Sequence, residues 1–284
     1  MSNATKPVFD GTIAQIRRVP HFRDSQYANL DIFGTLEFFR KRYVQQISSF
    51  AVVSNYTVVA DVGCGYGWLA MAFALYSPAR VIAVDFDEPR LEAARQIASI
   101  LSVPDRISWR VGSLGHLPMA TAEADIVYCV EVIEHVRRDE LCVKDLCRVS
   151  RNLIVLTTPN LWFPMIAHDT RLPFCHWLPL WLRRPYGALF GRECPVHNLF
   201  WSPPALSRSL RGFKRISRWL HYQSYQSFVQ TFPFYLPYGR GRHVERPGVI
   251  KDIYYRIVST LGTLSHFVTP SLAGVFERTR HTSS

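Results

Sequence analysis

Residues 58–67 read VVADVGCGYG. A β-branched apolar run ends in an acidic residue, and glycines then fall at alternate positions, Gly63, Gly65 and Gly67. The run has the composition of a strand buried on both faces. Glycines directly after it permit positive φ and let a ligand approach the backbone closely. In an open α/β sheet, ligands bind beyond the carboxyl ends of the strands, which is where this turn stands.

The flanking chain repeats the pattern. YGWLAMAFALYS (66–77) predicts a helix stopped by Pro78, and ARVIAVDFD (79–87) a second strand ending at Asp85. EPRLEAARQIASIL (88–101) predicts a helix with Pro89 in its first turn, and RISWRVGS (106–113) a third strand. ADIVYCVEVIEHV (124–136) begins as a fourth strand, RDELCVKDLCRVS (138–150) is helical, and RNLIVLTTPN (151–160) is a fifth strand. Strands alternating with helices at this spacing predict parallel βαβ units in a doubly wound sheet. Residues 25–50 have apolar positions at helical spacing and predict helices packed on the main domain.

Beyond Asn160 the regularity breaks. Residues 161–202 are rich in Pro and Trp and read as an insertion ahead of the helix SPPALSRSLRGF (202–213). KRISRWLHY (214–222) predicts a weak strand, and TPSLAGVFERTR (269–280) a final one. Residues 222–265 read as aromatic and irregular, with YGRGRHVERPG (238–248) as an exposed loop. The organisation expected is an N-terminal helical segment (1–50), a ligand-binding core (51–160), a lid insertion (161–202) and a C-terminal part (203–284) that completes the sheet.

Charge divides along the same line. Residues 1–160 hold 17 Lys/Arg and 17 Asp/Glu, whereas residues 161–284 hold 16 Lys/Arg and 5 Asp/Glu, the whole net charge of +11. The second half also carries 22 of the 38 aromatic residues. A basic, aromatic segment suits nucleic acid, an anionic membrane surface or an acidic substrate. No nucleic-acid motif accompanies it, so no DNA partner is expected. No run of 18 apolar residues occurs, and the N-terminus MSNATKPVFDG lacks a signal pattern, which predicts a cytoplasmic protein. The six cysteines match no zinc spacing and predict reduced thiols.

The ligand class follows from the turn. Asp85 lies 22 residues after Gly63, close to the spacing of about 20 at which an acidic residue meets a ribose. The dinucleotide fingerprint is G-x-G-x-x-G, but here the third glycine comes one residue early and Asp61 precedes the first. A carboxylate there repels a pyrophosphate and suits a cationic ligand.

With these residues in place, the chain resembles a class I S-adenosylmethionine-dependent methyltransferase. VVADVGCGYGWLA resembles the family's first motif, VIAVDFDEPRLEAAR its second, RVGSLGHLPMATAEADIVYCVEVIEHV the stretch over strands three and four, and LIVLTTPN strand five. The likeness spans roughly residues 40–160, with a thinner continuation at VHNLFWSPPALSRSLRGF. It implies a Rossmann-like, mostly parallel seven-stranded sheet and S-adenosylmethionine as cofactor. Asp61, Gly63 and Gly65 would line its methionine end, Asp85 would bind the ribose hydroxyls, and Phe86 would lie beside the adenine. Many relatives carry an Asp after the glycine of strand three. Here Ser113 stands there, and Leu114 would offer its backbone instead.

EVIEHV (131–136) resembles the E-x-x-E-H of quinone-pathway and small-RNA O-methyltransferases, and the insertion resembles segments of bacterial glycan and secondary-metabolite methyltransferases. Glu131 would face the cofactor or the substrate. His135 is a candidate general base for methyl transfer to a hydroxyl, or else a structural histidine at the strand end. Glu131, Glu134, His135 and His197 form an alternative divalent-metal set, set behind a metal-free reading in which the motif caps strand four. LPLWLRRPYGALFGR (178–192) interleaves apolar and basic residues. It reads as an ordinary helical lid within a helical or irregular insertion, or as a peripheral contact with the inner membrane surface. The function expected is O-methylation of a small or lipid- or glycan-linked acceptor. The alternatives are an NAD(P)-dependent oxidoreductase and a non-catalytic RNA- or membrane-binding module. Oligomeric state is not encoded in any motif present.

Overall fold

In the computed structural model, which describes residues 10–136, 140–165, 171–193, 200–235 and 243–279, the opening run is strand β1, Val58–Val62. It lies at the centre of a seven-stranded sheet ordered β3-β2-β1-β4-β5-β9-β6. The parallel strands are β1, β2 (Arg80–Asp85), β3 (Ile107–Val111), β4 (Ala124–Val130) and β5 (Ser150–Pro159). β9 (Ser271–Arg278) inserts antiparallel between β5 and β6 (Phe213–Arg215). The order reverses beside β1, so the carboxyl ends of β1 and β4 flank the crevice in which such sheets bind ligands.

Strand alternation builds two apolar layers. Val59 faces a cluster with α3 (Ile32–Phe39), α4 (Trp68–Tyr76) and α5 (Glu88–Ile100), and Ala60 and Val62 face one with α6 (Glu140–Val149) and α8 (Pro203–Ser209). α4 buries seven of its nine residues because it sits under both the sheet and the N-terminal helices. Fully burying a side chain of the size of its Met71 or Phe73 is worth about 2–3 kcal/mol.

The N-terminus starts its helices earlier than residue 25. Short helices α1 (Asp10–Ile16) and α2 (Pro20–Arg23) bury Ile16 and Phe22 in the first layer. α3 begins at Asp31, whose carboxylate accepts from the Gly34 N–H at 2.9 Å, and passes into a π-helical turn at Arg40–Val44.

The C-terminal part is less irregular than the sequence predicts. Residues 161–202 contain a ten-residue helix, α7 (Leu180–Leu189), with Pro185 inside it. Residues 222–265 contain α9 (Tyr225–Val229) and a twelve-residue helix, α10 (Val249–Thr260). The weak strand expected at 214–222 is shorter and starts one residue earlier, as β6, Phe213–Arg215. The loop expected at 238–248 is bounded by a short ribbon of β7 (Phe234–Tyr235) and β8 (His243–Val244), and residues 236–242 lie outside the described residues.

This part packs on the N-terminal helices. Trp219, Tyr222, Phe228 and Tyr255 form a third cluster. Tyr43 stacks on His221 with centroids 5.0 Å apart, the Arg42 guanidinium lies 5.2 Å from the Phe228 ring centroid, and Lys41 Nζ donates to the Pro233 carbonyl at 2.9 Å. Much of the aromatic content of the second half is therefore core.

Candidate active site

The glycine turn is stitched to β2. Gly63 and Cys64 N–H both donate to the Val84 carbonyl, at 2.8 and 3.0 Å. Gly63 has φ +73°, and a Cβ on it would stand 2.5 Å from Val132 Cγ2, so the turn touches the segment after β4. Gly67, also at φ +73°, has Trp109 of β3 against it, with 2.5 Å to a Cβ built there. The early third glycine thus serves close packing at the start of α4. Gly65 differs: at φ +57°, the nearest atom among the described residues to a Cβ built on it is Arg90 Cδ at 3.9 Å, so that face is open to a ligand.

Gly63→Ala is expected to lower stability by about 2–4 kcal/mol, from the left-handed backbone and the overlap with Val132. Urea denaturation measures it. Adding Val132→Ala should restore the packing share alone, and a single variant as stable as the parent would disprove the contact.

Two buried carboxylates lie under the turn. Asp85 Oδ2 accepts from Gly65 N–H at 2.7 Å and Oδ1 from Asp87 N–H at 3.1 Å. Each oxygen has a second lone pair for a ligand hydroxyl. Asp61 Oδ2 accepts from Ala70 N–H at 3.1 Å in the first turns of α4. It backs the turn from below. Burial pushes its carboxyl up to about 7, with the Ala70 hydrogen bond opposing and the charge of Asp85 adding.

That shift has a sign. The folded chain holds a proton on Asp61 that the unfolded chain, near the ordinary 3.8, has released. Stability from this group is full below the unfolded value and is lost as pH rises toward about 7. Asp61→Asn should flatten the fall in melting temperature over that window, and an unchanged slope would count against it.

Phe86 follows Asp85 and is 72% exposed, an apolar platform at the crevice. Ser113 is exposed and Leu114 half-buried, and the Ser113 carbonyl accepts from His116 N–H at 3.0 Å in the loop after β3. Above the turn, Tyr66 Oη lies 3.0 Å from His21 Nδ1 and donates to the His21 carbonyl at 3.1 Å, so α2 caps the glycine loop.

On the other side of the crevice the E-x-x-E-H residues separate by role. Glu131 takes φ +56°, a left-handed conformation uncommon outside glycine, and its N–H donates to the Thr157 carbonyl at 2.9 Å. Glu134 is fully buried and its Oε2 accepts from Thr158 Oγ1 at 3.0 Å. His135 is 54% exposed, with Nε2 3.9 Å from Glu134 Oε1. The motif therefore caps the end of β4 through Glu134 while His135 faces outward. The alternative metal set is not assembled: among the described residues no group of three or more His, Cys, Asp or Glu is placed to hold an ion, and His197 lies outside them.

The sequence reading missed Tyr43. It comes from the π-helical turn, packs edge-on to Tyr128 of β4 at 5.9 Å, and is close enough to Glu131 to feel its charge. Burial raises its phenol, with Arg42 opposing and Glu131 adding. Only folding brings it to β4, so no local motif marks it.

These features fit S-adenosylmethionine: an open glycine face, acidic groups for a cation, free lone pairs on Asp85 and an exposed ring. Comparison with known proteins agrees. Residues 60–153 match a methyltransferase domain. The demethylmenaquinone methyltransferase of Lactiplantibacillus plantarum is 29% identical over 209 residues, covering 72% of this chain and 78% of that protein. A ubiquinone biosynthesis O-methyltransferase of Neisseria meningitidis is 32% identical over 137 residues, 48% of this chain and 56% of that protein. The magnesium protoporphyrin IX methyltransferase of Synechocystis, solved with S-adenosylhomocysteine bound, shares the fold at a TM-score of 0.52 and 15% identity over 96% of each chain. The matches favour methyl transfer over the nicotinamide and non-catalytic alternatives. Glycine turn, acidic strand ends, sheet order and relatives converge on an S-adenosylmethionine-dependent methyltransferase with a Rossmann-like, class I fold.

Proposed function

We propose that the chain methylates an oxygen of a small, apolar hydroxylated acceptor that enters at the carboxyl ends of β4 and β5, where the insertion after Asn160 begins. The observation that carries this is His135, half-exposed on the segment whose Val132 abuts Gly63, with the buried Glu134 carboxylate beside it. Two relatives are named for demethylmenaquinone and for O-methylation in ubiquinone biosynthesis, which supports a quinol-like acceptor.

The cofactor supplies a methyl group on a sulfonium, which an in-line nucleophile displaces with the bonding pair leaving on sulfur. The open face of Gly65 would admit the methionine portion. Asp85 would accept from the ribose hydroxyls and Phe86 would lie beside the adenine. Asp85 would place negative charge beneath a cationic ligand, while Asp61 braces the turn through Ala70. His135 takes the acceptor's hydroxyl proton as oxygen attacks, and Glu134 stabilises the resulting imidazolium. Most of the acceleration comes from alignment.

The test is methyl transfer to a panel of hydroxylated aromatics, lipids and sugars, with amines and carbon nucleophiles beside them, with and without a chelator. Turnover on a hydroxyl, insensitive to chelation, is expected. Turnover confined to amines or carbon acids would refute the reading.

A further inference from the structure

Helix α10 carries its apolar residues on the wrong side for a core helix. At 100° per residue, Tyr255 and Val258 point inward and are buried. Ile250, Ile253 and Ile257 share a stripe on the far side, and Ile250 is 87% and Ile257 64% exposed. Exposed Leu261, Leu264 and Phe267 prolong the stripe into the following 3-10 turn, Gly262–Phe267.

The stripe is joined to a second exposed apolar element. The Phe267 ring lies 5.4 Å from that of Trp162, just past β5. Trp177 Nε1 donates to the Leu161 carbonyl at 2.6 Å, and Phe174 packs on Trp177 at 5.1 Å. α7 follows with exposed Trp181 and Leu189 and then Phe190. The junction is anchored at the functional edge of the sheet, where Asn160 Nδ2 donates to the carbonyls of His266 and Thr269, each at 2.8 Å.

We propose that these elements form one docking surface for an anionic lipid bilayer. Single exposed apolar residues are ordinary, but a linked stripe of isoleucines, leucines and tryptophans is an interaction surface. Its surroundings select the partner. Arg184 and Arg192, in and just after α7, and Arg246, just before α10, are exposed, in a half of the chain that carries the whole net charge of +11. A two-fold contact with a second copy would set these cations against their own kind. Anionic headgroups meet them with opposite charge while the apolar residues enter the acyl boundary. Tryptophan suits that depth, with an apolar body and a polar N–H. Among the described residues no helix is long and apolar enough to cross a membrane, so the contact is with one leaflet.

Flotation of the full chain with vesicles of phosphatidylcholine and phosphatidylglycerol, without cofactor or acceptor, tests this separately from the proposed reaction. Binding is expected, stronger than to pure phosphatidylcholine vesicles, with tryptophan fluorescence quenched by brominated lipid. The triple variant Ile250→Ser, Ile253→Ser, Ile257→Ser should keep its melting temperature and lose at least about tenfold in partitioning. Absence of flotation and quenching in the parent would overturn the proposal. So would equal partitioning of the triple variant, or a dimer that the triple substitution abolishes in a parent that ignores vesicles.

Discussion

Asp85→Ala is expected to abolish measurable S-adenosylmethionine binding, raising Kd more than about a hundredfold. Two charge-assisted bonds to ribose hydroxyls at about 1.5–3 kcal/mol each account for that loss. The carboxylate also accepts from Gly65 and Asp87 N–H, so its removal loosens the turn itself. Calorimetric titration with a parallel melting curve separates the two effects. Asp85→Asn keeps the side-chain shape and one acceptor, sets its amide nitrogen against one of the two backbone donors at a cost of about 1–3 kcal/mol in stability, and should still lose about tenfold or more in affinity. Unchanged affinity in the alanine variant would remove the ribose from Asp85.

His135→Ala should lower kcat by about 10²–10⁴, the range of general-base assistance, and leave cofactor affinity untouched. The side chain is half-exposed and its backbone N–H is held by the Val132 carbonyl at 2.9 Å, so truncation leaves the segment folded. The variant's residual rate should climb with pH as the acceptor ionises unaided, and the parent's should climb less. A variant with parental kcat and pH profile would make His135 structural, and Glu134 then serves only as the cap on Thr158.

What the sequence disclosed about this fold was decided by range. β1, β2, β4 and β5 carry mostly apolar runs bounded by glycine, proline or charge, so each could be read alone; β3 (ISWRV) is mixed and was placed by its spacing, and β9 kept the apolar signature at the far end. β6 could not, because three residues carry no pattern. α1 and α2, of seven and four residues, are too short to hold themselves and form because Ile16 and Phe22 find a core. A helical lid was expected in the insertion, but Pro185 inside α7 hid its bounds. α10 was concealed by its exposed isoleucines, which break the rule that the apolar face points inward.

The candidate site divides in the same way. Gly63, Gly65 and Asp85 sit in one short motif pair whose spacing marks them, and Phe86 came with the family resemblance. The E-x-x-E-H motif was visible but its division was not, since only Thr158 of β5 reveals that Glu134 is the buried cap. Asp61 was expected along the cofactor, and the fold sets it beneath the turn, bonded to Ala70. Tyr43 arrives from a helix far upstream in sequence, and composition gave it no mark.

The central claim is methyl transfer to oxygen at the carboxyl edge of β4. A single-turnover reaction with methyl-13C-labelled S-adenosylmethionine and a quinol-like acceptor tests it most directly. Carbon NMR of the product should find the labelled methyl bonded to oxygen, with one S-adenosylhomocysteine formed per methyl delivered. A label found on carbon or nitrogen, or S-adenosylhomocysteine formed with no methylated product, would contradict it.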